Sequence, residues 1–241
     1  MANAVVRGSV TPAGAMQDSA CRVIDNRRMP PTLSSALVVL LAYLLGSLSG
    51  SLLLGRLRGV DIRTQGSGNA DGIDAFRTQE LAFGACVALF DIAKGVLAAW
   101  LALRYAPISP RFDATAHAYA ATFAAALGHV WPLWYGFRGG KGAATLAGGV
   151  LVLWPWIAPI LVLVWMVVIV SSGYVGLATL VTGAALAVLA WFTEAVPARL
   201  LFANAAALLL LFTHRGNLSR LRAGGESRFE RARLLHRLWR S

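Results

Sequence analysis

A chain of 241 residues that is 57% hydrophobic and only 14% charged falls well below the roughly 25% charge of a soluble domain, and its mean hydropathy is +0.63. That excludes a water-soluble protein and leaves a lipid-facing one. A net charge of +11 invites a nucleic-acid reading, but the basic residues lie between apolar runs and in the C-terminal tail, where they act as topology determinants and contacts to anionic lipid.

In chain order, residues 1–32 hold no apolar helix and read as an irregular extension; Cys21 here and Cys86 further on form neither a metal spacing nor a disulfide framework. The expectation is that translation starts at Met29 or that residues 1–28 are dispensable. The first apolar run, Leu33 to Gly55, is free of charge and closed by Arg56 and Arg58, which predicts a membrane crossing. A second, Leu81 to Leu103, carries Asp91 and Lys94 at a spacing that lets them meet on one helix face. A charge at the bilayer centre costs about 2.5–3.5 kcal/mol on insertion scales, so neither is expected to face lipid, and a structural ion pair is the preferred reading.

The third run, 114–137, ends in Trp131, Trp134 and Tyr135, which suit a membrane interface, with Pro132 expected to break its last turns. His129, near its end, is read as a satisfied packing residue. Residues 142–170 carry no charge and are too long for one helix; Pro155 and Pro159 predict a turn between two. Tyr174 to Thr193 makes a sixth helix, and Pro197 to Thr213 a seventh, whose Arg199 is expected to snorkel outward. The fold class is therefore an all-α integral membrane protein of about seven transmembrane helices. It divides into the 1–32 extension, a membrane domain at 33–213 and a basic tail at 214–241.

An odd number of crossings puts the termini on opposite sides. Arg56, Arg58, Arg63, Arg77, Arg138, Lys141 and the arginines of the tail then share one face, against Arg104, Arg111 and Arg199 on the other. By the positive-inside rule the first face is cytoplasmic, with the C-terminus inside and the N-terminus outside. Arg7, Arg22, Arg27 and Arg28 of the extension run against the rule.

Polar, glycine-bearing segments gather on that cytoplasmic face. Gly66-Ser67-Gly68-Asn69, followed by Arg77, offers close backbone N–H groups and side-chain donors to an anion, although Asp71 stands where a dinucleotide fingerprint needs its third glycine. Phe137-Arg138-Gly139-Gly140-Lys141-Gly142 opens directly into an apolar helix; unpaired N–H groups, the positive end of the helix dipole and the Lys141 charge all favour a phosphate there. Tyr135 occupies the first-glycine position of a nucleotide P-loop, which excludes that motif. His214-Arg215-Gly216-Asn217 closes the last helix, where basic residues also complement the dipole.

The strings YLLGS, GVDIR, GSGN with Arg77, DIAKG, LGHVWP, FRGGKGAAT, YVGLAT and HRGN, in order from about Ala42 to Phe229, resemble the acyl-phosphate:glycerol-3-phosphate acyltransferases, the PlsY family of bacteria. The resemblance implies a seven-helix enzyme of the bacterial inner membrane with its site facing the cytoplasm. Its substrates would be glycerol 3-phosphate and acyl phosphate, and its products 1-acylglycerol 3-phosphate and phosphate, with no cofactor or metal. Membrane lipids are the only other partners; no nucleic acid and no obligate protein partner is expected. Carried over by position, Ser67, Arg77, Lys141, His214 and Asn217 bind phosphate or assist transfer, with Asn69, Gly139 and Gly140 adding anion contacts and Lys141 and Asn217 cast as catalytic. The HxxxxD dyad of the other large glycerolipid acyltransferase group is absent, since Thr122, Trp134 and Ser219 stand where its aspartate would follow His117, His129 and His214.

The chain departs from the family pattern at Asp71, Ile73, Asp74 and Gly176. An ionised Asp74 presents only acceptors where asparagine also donates, so it is expected to weaken glycerol 3-phosphate binding. The alternative reading is a non-catalytic membrane protein of the same fold that binds or transports a phosphorylated lipid precursor; internal inverted repeats or helices interrupted at the midplane would favour it.

Overall fold

The computed structural model describes residues 30–59, 81–107, 113–193 and 196–229. Among these residues there is no strand, and the helices are α1 Pro31–Gly46, α2 Gly50–Leu57, α3 Leu81–Tyr105, α4 Ala114–Val130, α5 Ala143–Leu153, α6 Ala158–Ser172, α7 Val175–Phe192, α8 Pro197–Thr213 and α9 Arg215–Arg222. Short 3-10 turns at Leu133–Tyr135 and Pro155–Ile157 join α4 to α5 and α5 to α6.

Helix ends follow local chemistry. Pro31 and Pro197 sit in the first turns of α1 and α8, where their missing N–H is not needed. Asp113 caps α4 by accepting from the Ala116 N–H at 2.7 Å. α4 stops at Val130, before Pro132, and the uncharged 142–170 run divides at Pro155 as its prolines predict.

Among the described residues three helical segments are long and apolar enough to cross a bilayer: Ala82–Tyr105, Pro155–Ser172 and Val175–Phe192, rising to five if the bent pairs α1–α2 and α8–α9 each count as one span. With 11 residues, α5 reaches only about half of a ~30 Å hydrocarbon core at ~1.5 Å per residue. Val162, Leu163 and Val167 on α6 are each more than half exposed, as a lipid-facing surface requires.

Small residues let the helices touch. One apolar core, between α4, α5, α7 and α8, includes Tyr119, Leu146, Leu186 and Phe202. Between α1, α3 and α4 the buried cluster is entirely alanine, from Ala42 and Ala98 to Ala125. A Cβ on Gly95 of α3 would collide with the Thr145 carbonyl, and one on Gly148 of α5 with the Ile92 carbonyl. This is close backbone packing of the kind that joins helices in lipid.

The first apolar run differs from its prediction as one helix. It breaks at Ser47–Ser49, and α1 and α2 diverge by 44°. Ser47 turns its hydroxyl back to the Tyr43 carbonyl (2.9 Å), and Ser49 and Ser51 bond each other (3.2 Å), all three fully buried. The orphan backbone groups at the break find their partners on α3. Lys94 Nζ donates to the carbonyls of Gly46 (3.0 Å) and Leu48 (3.2 Å), while the Gly50 N–H donates to Asp91 Oδ1 (3.3 Å). Asp91 and Lys94 are themselves paired at 2.9 Å and almost wholly buried, the ion pair expected from their spacing. A cation thus lies at the negative end of α1 and an anion at the positive end of α2.

Arg199, expected to reach outward, is half-buried; it donates from Nε to the Tyr119 hydroxyl (3.1 Å) and stacks over Trp154 (4.5 Å).

Gly148→Leu is expected to lower the thermal midpoint of the detergent-solubilised protein, since overpacking a tight contact costs about 1–3 kcal/mol. Val162→Leu on the exposed face of α6 is expected to leave it unchanged. An unshifted midpoint for Gly148→Leu would contradict the α3–α5 packing.

Candidate functional site

The glycine segment predicted to receive a phosphate forms a loop that returns the chain from α4 to α5. Its turn requires positive φ at Gly136 (65°) and Gly142 (84°), and Phe137 adopts 58° as well. The loop is docked on the end of α4: the Gly139 N–H donates to the Val130 carbonyl (3.1 Å) and the Gly140 N–H to the His129 carbonyl (3.2 Å). At Gly139 a Cβ would strike the His129 carbonyl and the Pro132 ring, so only glycine allows this approach. Gly142 serves as N-cap of α5, and no side chain caps the helix. First-turn N–H groups of this kind can receive an anion. Lys141, immediately before them, is buried at 7% exposure.

A side-chain hydrogen bond ties this loop to the α8–α9 corner. Thr213 Oγ1 donates to the Lys141 carbonyl (3.2 Å), and the next residue, His214, is buried with Nδ1 against the Leu210 carbonyl (2.9 Å). The chain bends by 55° there, which carries Asn217 inward to 8% exposure. Its Nδ2 donates to Glu226 Oε1 (2.8 Å), and Arg220 Nε donates to Glu226 Oε2 (2.8 Å). The first turn of α7 borders the same corner. A Cβ on Gly176 would lie 3.0 Å from both Cβ and Nδ2 of Asn217, so the absence of a side chain at Gly176 makes room for the amide.

Further bonds close this end of the bundle: the Phe229 N–H donates to the Gly173 carbonyl (2.8 Å) and Arg228 Nε to the Tyr174 hydroxyl (2.7 Å). Beside the corner, Leu208, Leu211, Phe212, Leu218, Arg215 and Arg222 line an open, mainly apolar groove of about 500 Å³.

Of the residues singled out in the sequence, Gly139, Gly140, Lys141, His214 and Asn217 are thus gathered at one end of the bundle. Ser67, Asn69 and Arg77, with the departures at Asp71, Ile73 and Asp74, lie outside the described residues. Thr213, Arg220 and Glu226 escaped the sequence reading. An acidic residue set among the arginines of the tail was the available signal for Glu226.

A bundle of apolar helices with a glycine loop opening a helix at one end defines a polytopic membrane protein. A family model described as glycerol-3-phosphate acyltransferase matches residues 36–224. A glycerol-3-phosphate acyltransferase of Myxococcus xanthus is 44% identical over 202 residues, 82% of this chain and 100% of the relative. One from Bordetella pertussis is 38% identical over 205 residues, 83% of this chain and 94% of its own. Among solved structures, the glycerol 3-phosphate form of PlsY, an integral membrane glycerol 3-phosphate acyltransferase, superposes with a TM-score of 0.75 at 31% identity, covering 81% of this chain and 96% of that one. The chain belongs to the glycerol-3-phosphate acyltransferase family.

The pairing of Glu226 with both Asn217 and Arg220 generates an expectation. Glu226→Ala removes a buried hydrogen bond to Asn217 worth about 1.5–3 kcal/mol and a half-exposed pair with Arg220 worth up to about 1 kcal/mol, so the thermal midpoint falls. Asn217→Ala then costs less stability in the Glu226→Ala background than in the parent. Additive losses in the double variant would contradict the coupling.

Proposed function

We propose that this chain transfers the acyl group of an acyl phosphate to the 1-hydroxyl of glycerol 3-phosphate, yielding 1-acylglycerol 3-phosphate and inorganic phosphate. The observation that carries this reading is the union, through the Thr213–Lys141 hydrogen bond, of a glycine loop opening a helix with the corner that bears His214 and Asn217. Family membership supports an acyltransferase acting on glycerol 3-phosphate, and the M. xanthus and B. pertussis relatives support a bacterial setting.

An acyl phosphate is a mixed anhydride with a good leaving group, so the chain needs only to position reactants and stabilise charge. The loop N–H groups, Lys141 and, in the segment between α2 and α3, Ser67, Asn69 and Arg77 hold the phosphate groups. The glycerol oxygen attacks the acyl carbon; the bond from that carbon to the phosphate oxygen breaks, and phosphate leaves with the electron pair. The hydroxyl proton passes to a phosphate oxygen. Lys141 and the remaining Asn217 N–H stabilise the developing oxyanion, and His214 contacts phosphate. The apolar groove beside the corner suits the acyl chain, with Arg215 and Arg222 at its border.

The membrane domain crosses the bilayer seven times when α1–α2 forms one passage and α5 another. The site then faces the cytoplasm, the N-terminus lies outside and the C-terminus inside. Charge supports this orientation: Arg56, Arg58, Arg138, Lys141, Arg215, Arg220 and Arg222 lie toward the site end, against Arg104 and Arg199.

Purified protein incubated with acyl phosphate and glycerol 3-phosphate is expected to release monoacyl product and phosphate in equal amounts. Lys141→Ala, Arg77→Ala and Asn217→Ala are each expected to lose at least about tenfold to a hundredfold in turnover, as charged hydrogen bonds of ~1.5–3 kcal/mol imply, while still inserting. Unchanged rates in all three would overturn the site. Glycerol 3-phosphate binding without product would favour a non-catalytic binding protein.

A further inference from the structure

His129 belongs both to the buried charge cluster and to the platform under the glycine loop. Lys94 Nζ has four acceptors around it: Asp91 Oδ1 at 2.9 Å, the Gly46 and Leu48 carbonyls at 3.0 and 3.2 Å, and His129 Nδ1 at 2.6 Å. An ammonium has three hydrogens to share among these four and can only donate; Nδ1, the nearest at 2.6 Å, takes one of them, so Nε2 carries the imidazole hydrogen. Asp91 Oδ1 accepts from the same ammonium and lies 3.4 Å from Nδ1.

The main chain of this residue does something different. Its carbonyl accepts the Gly140 N–H, one position before Lys141, and blocks any side chain at Gly139. The imidazole is 97% buried and held in the charge cluster, so the last turn of α4 cannot rotate or slide without breaking the Nδ1–Nζ contact. The loop hangs from that turn.

We propose that His129 is a positioning residue for the phosphate-binding loop. Nδ1, held by the Lys94 ammonium, sets where α4 ends, and so where the loop N–H groups and Lys141 meet the phosphate of glycerol 3-phosphate. The inference rests on the reading of that loop under the proposed function. It assigns to Asp91, Lys94 and His129 an effect on substrate affinity, although none of them touches substrate.

The test compares two amides in the full chain, purified in detergent, with acyl phosphate saturating and glycerol 3-phosphate varied. Asn places its Oδ1 where Nδ1 stood, whereas Gln carries its amide out toward the Nε2 position and, with Lys94 still served by Asp91 and the Gly46 and Leu48 carbonyls, removes the tie between the end of α4 and the ammonium. His129→Gln is expected to raise KM for glycerol 3-phosphate about tenfold or more with kcat held within about threefold, and His129→Asn to stay within about threefold of the parent in both. A role in stability alone would lower the yield and thermal midpoint of both variants without separating KM from kcat. Equal behaviour of the two amides, or an unchanged KM in His129→Gln, would overturn the proposal. Should His129→Gln fail to accumulate in membranes, Asp91→Asn, which keeps the shape of the cluster and removes its anion, carries the same expected rise in KM and the same refutation. Lys141→Gln run alongside separates the two levels. If it leaves kcat/KM for glycerol 3-phosphate unchanged, the loop assignment itself fails; if it lowers kcat/KM while His129→Gln does not, only the positioning role fails.

Discussion

A lysine ammonium buried under the broken end of a helix is the constraint from which the rest of this protein follows. Neither half of the arrangement is stable alone. Lys94 and Asp91 sit within the long apolar helix α3, where an unpaired charge is costly, and the α1–α2 break exposes carbonyl and N–H groups that lipid cannot satisfy. Placed together, the ammonium takes the carbonyls of Gly46 and Leu48, and the carboxylate takes the Gly50 N–H. The ion pair and the break solve each other's problem, with the helix dipoles adding to both. The alanine interface between α1, α3 and α4 brings the backbones close enough for it.

From this cluster a continuous set of bonds leads to the site. His129 joins the ammonium to the end of α4, whose carbonyls hold the glycine loop; Lys141 in that loop is tied to Thr213; and Thr213 begins the corner that turns His214 and Asn217 inward. Glu226 then returns from beyond α9 to hold Asn217, and Arg220 faces its other oxygen. The proposed transfer, which relies on positioning rather than on a covalent intermediate, needs such rigidity, because misplacement of a reacting group by about 1 Å can cost a hundredfold in rate.

What could be read in the sequence was what lies in local pattern. The apolar runs, the prolines at 132, 155 and 159, and the spacing of Asp91 and Lys94 predicted helices, turns and an ion pair that the structure contains. The glycine loop stood out by residue type and the HRGN segment only through the family resemblance, and the structure draws the two together. The break at Ser47–Ser49 was not legible, because the run from Leu33 to Gly55 carries no charge and the groups that make a break tolerable lie more than 40 residues further along the chain. The partners of Arg199 were not legible for a related reason: Tyr119 and Trp154 lie far from it in the chain. Glu226 holds Asn217 across a bend that no periodicity reports.

Gly176 shows how a departure from the family pattern takes on physical meaning once neighbours are known. In sequence it is a bare departure; in space it is the position where a side chain would press on Asn217, 3.0 Å from its Cβ and Nδ2. The most direct measurement of the central claim is a crystal structure of the full chain with glycerol 3-phosphate bound. The phosphate is expected against Lys141 Nζ and the N–H groups that open α5, within reach of the His214–Asn217 corner. A phosphate bound elsewhere, with the glycine loop unoccupied, would contradict it.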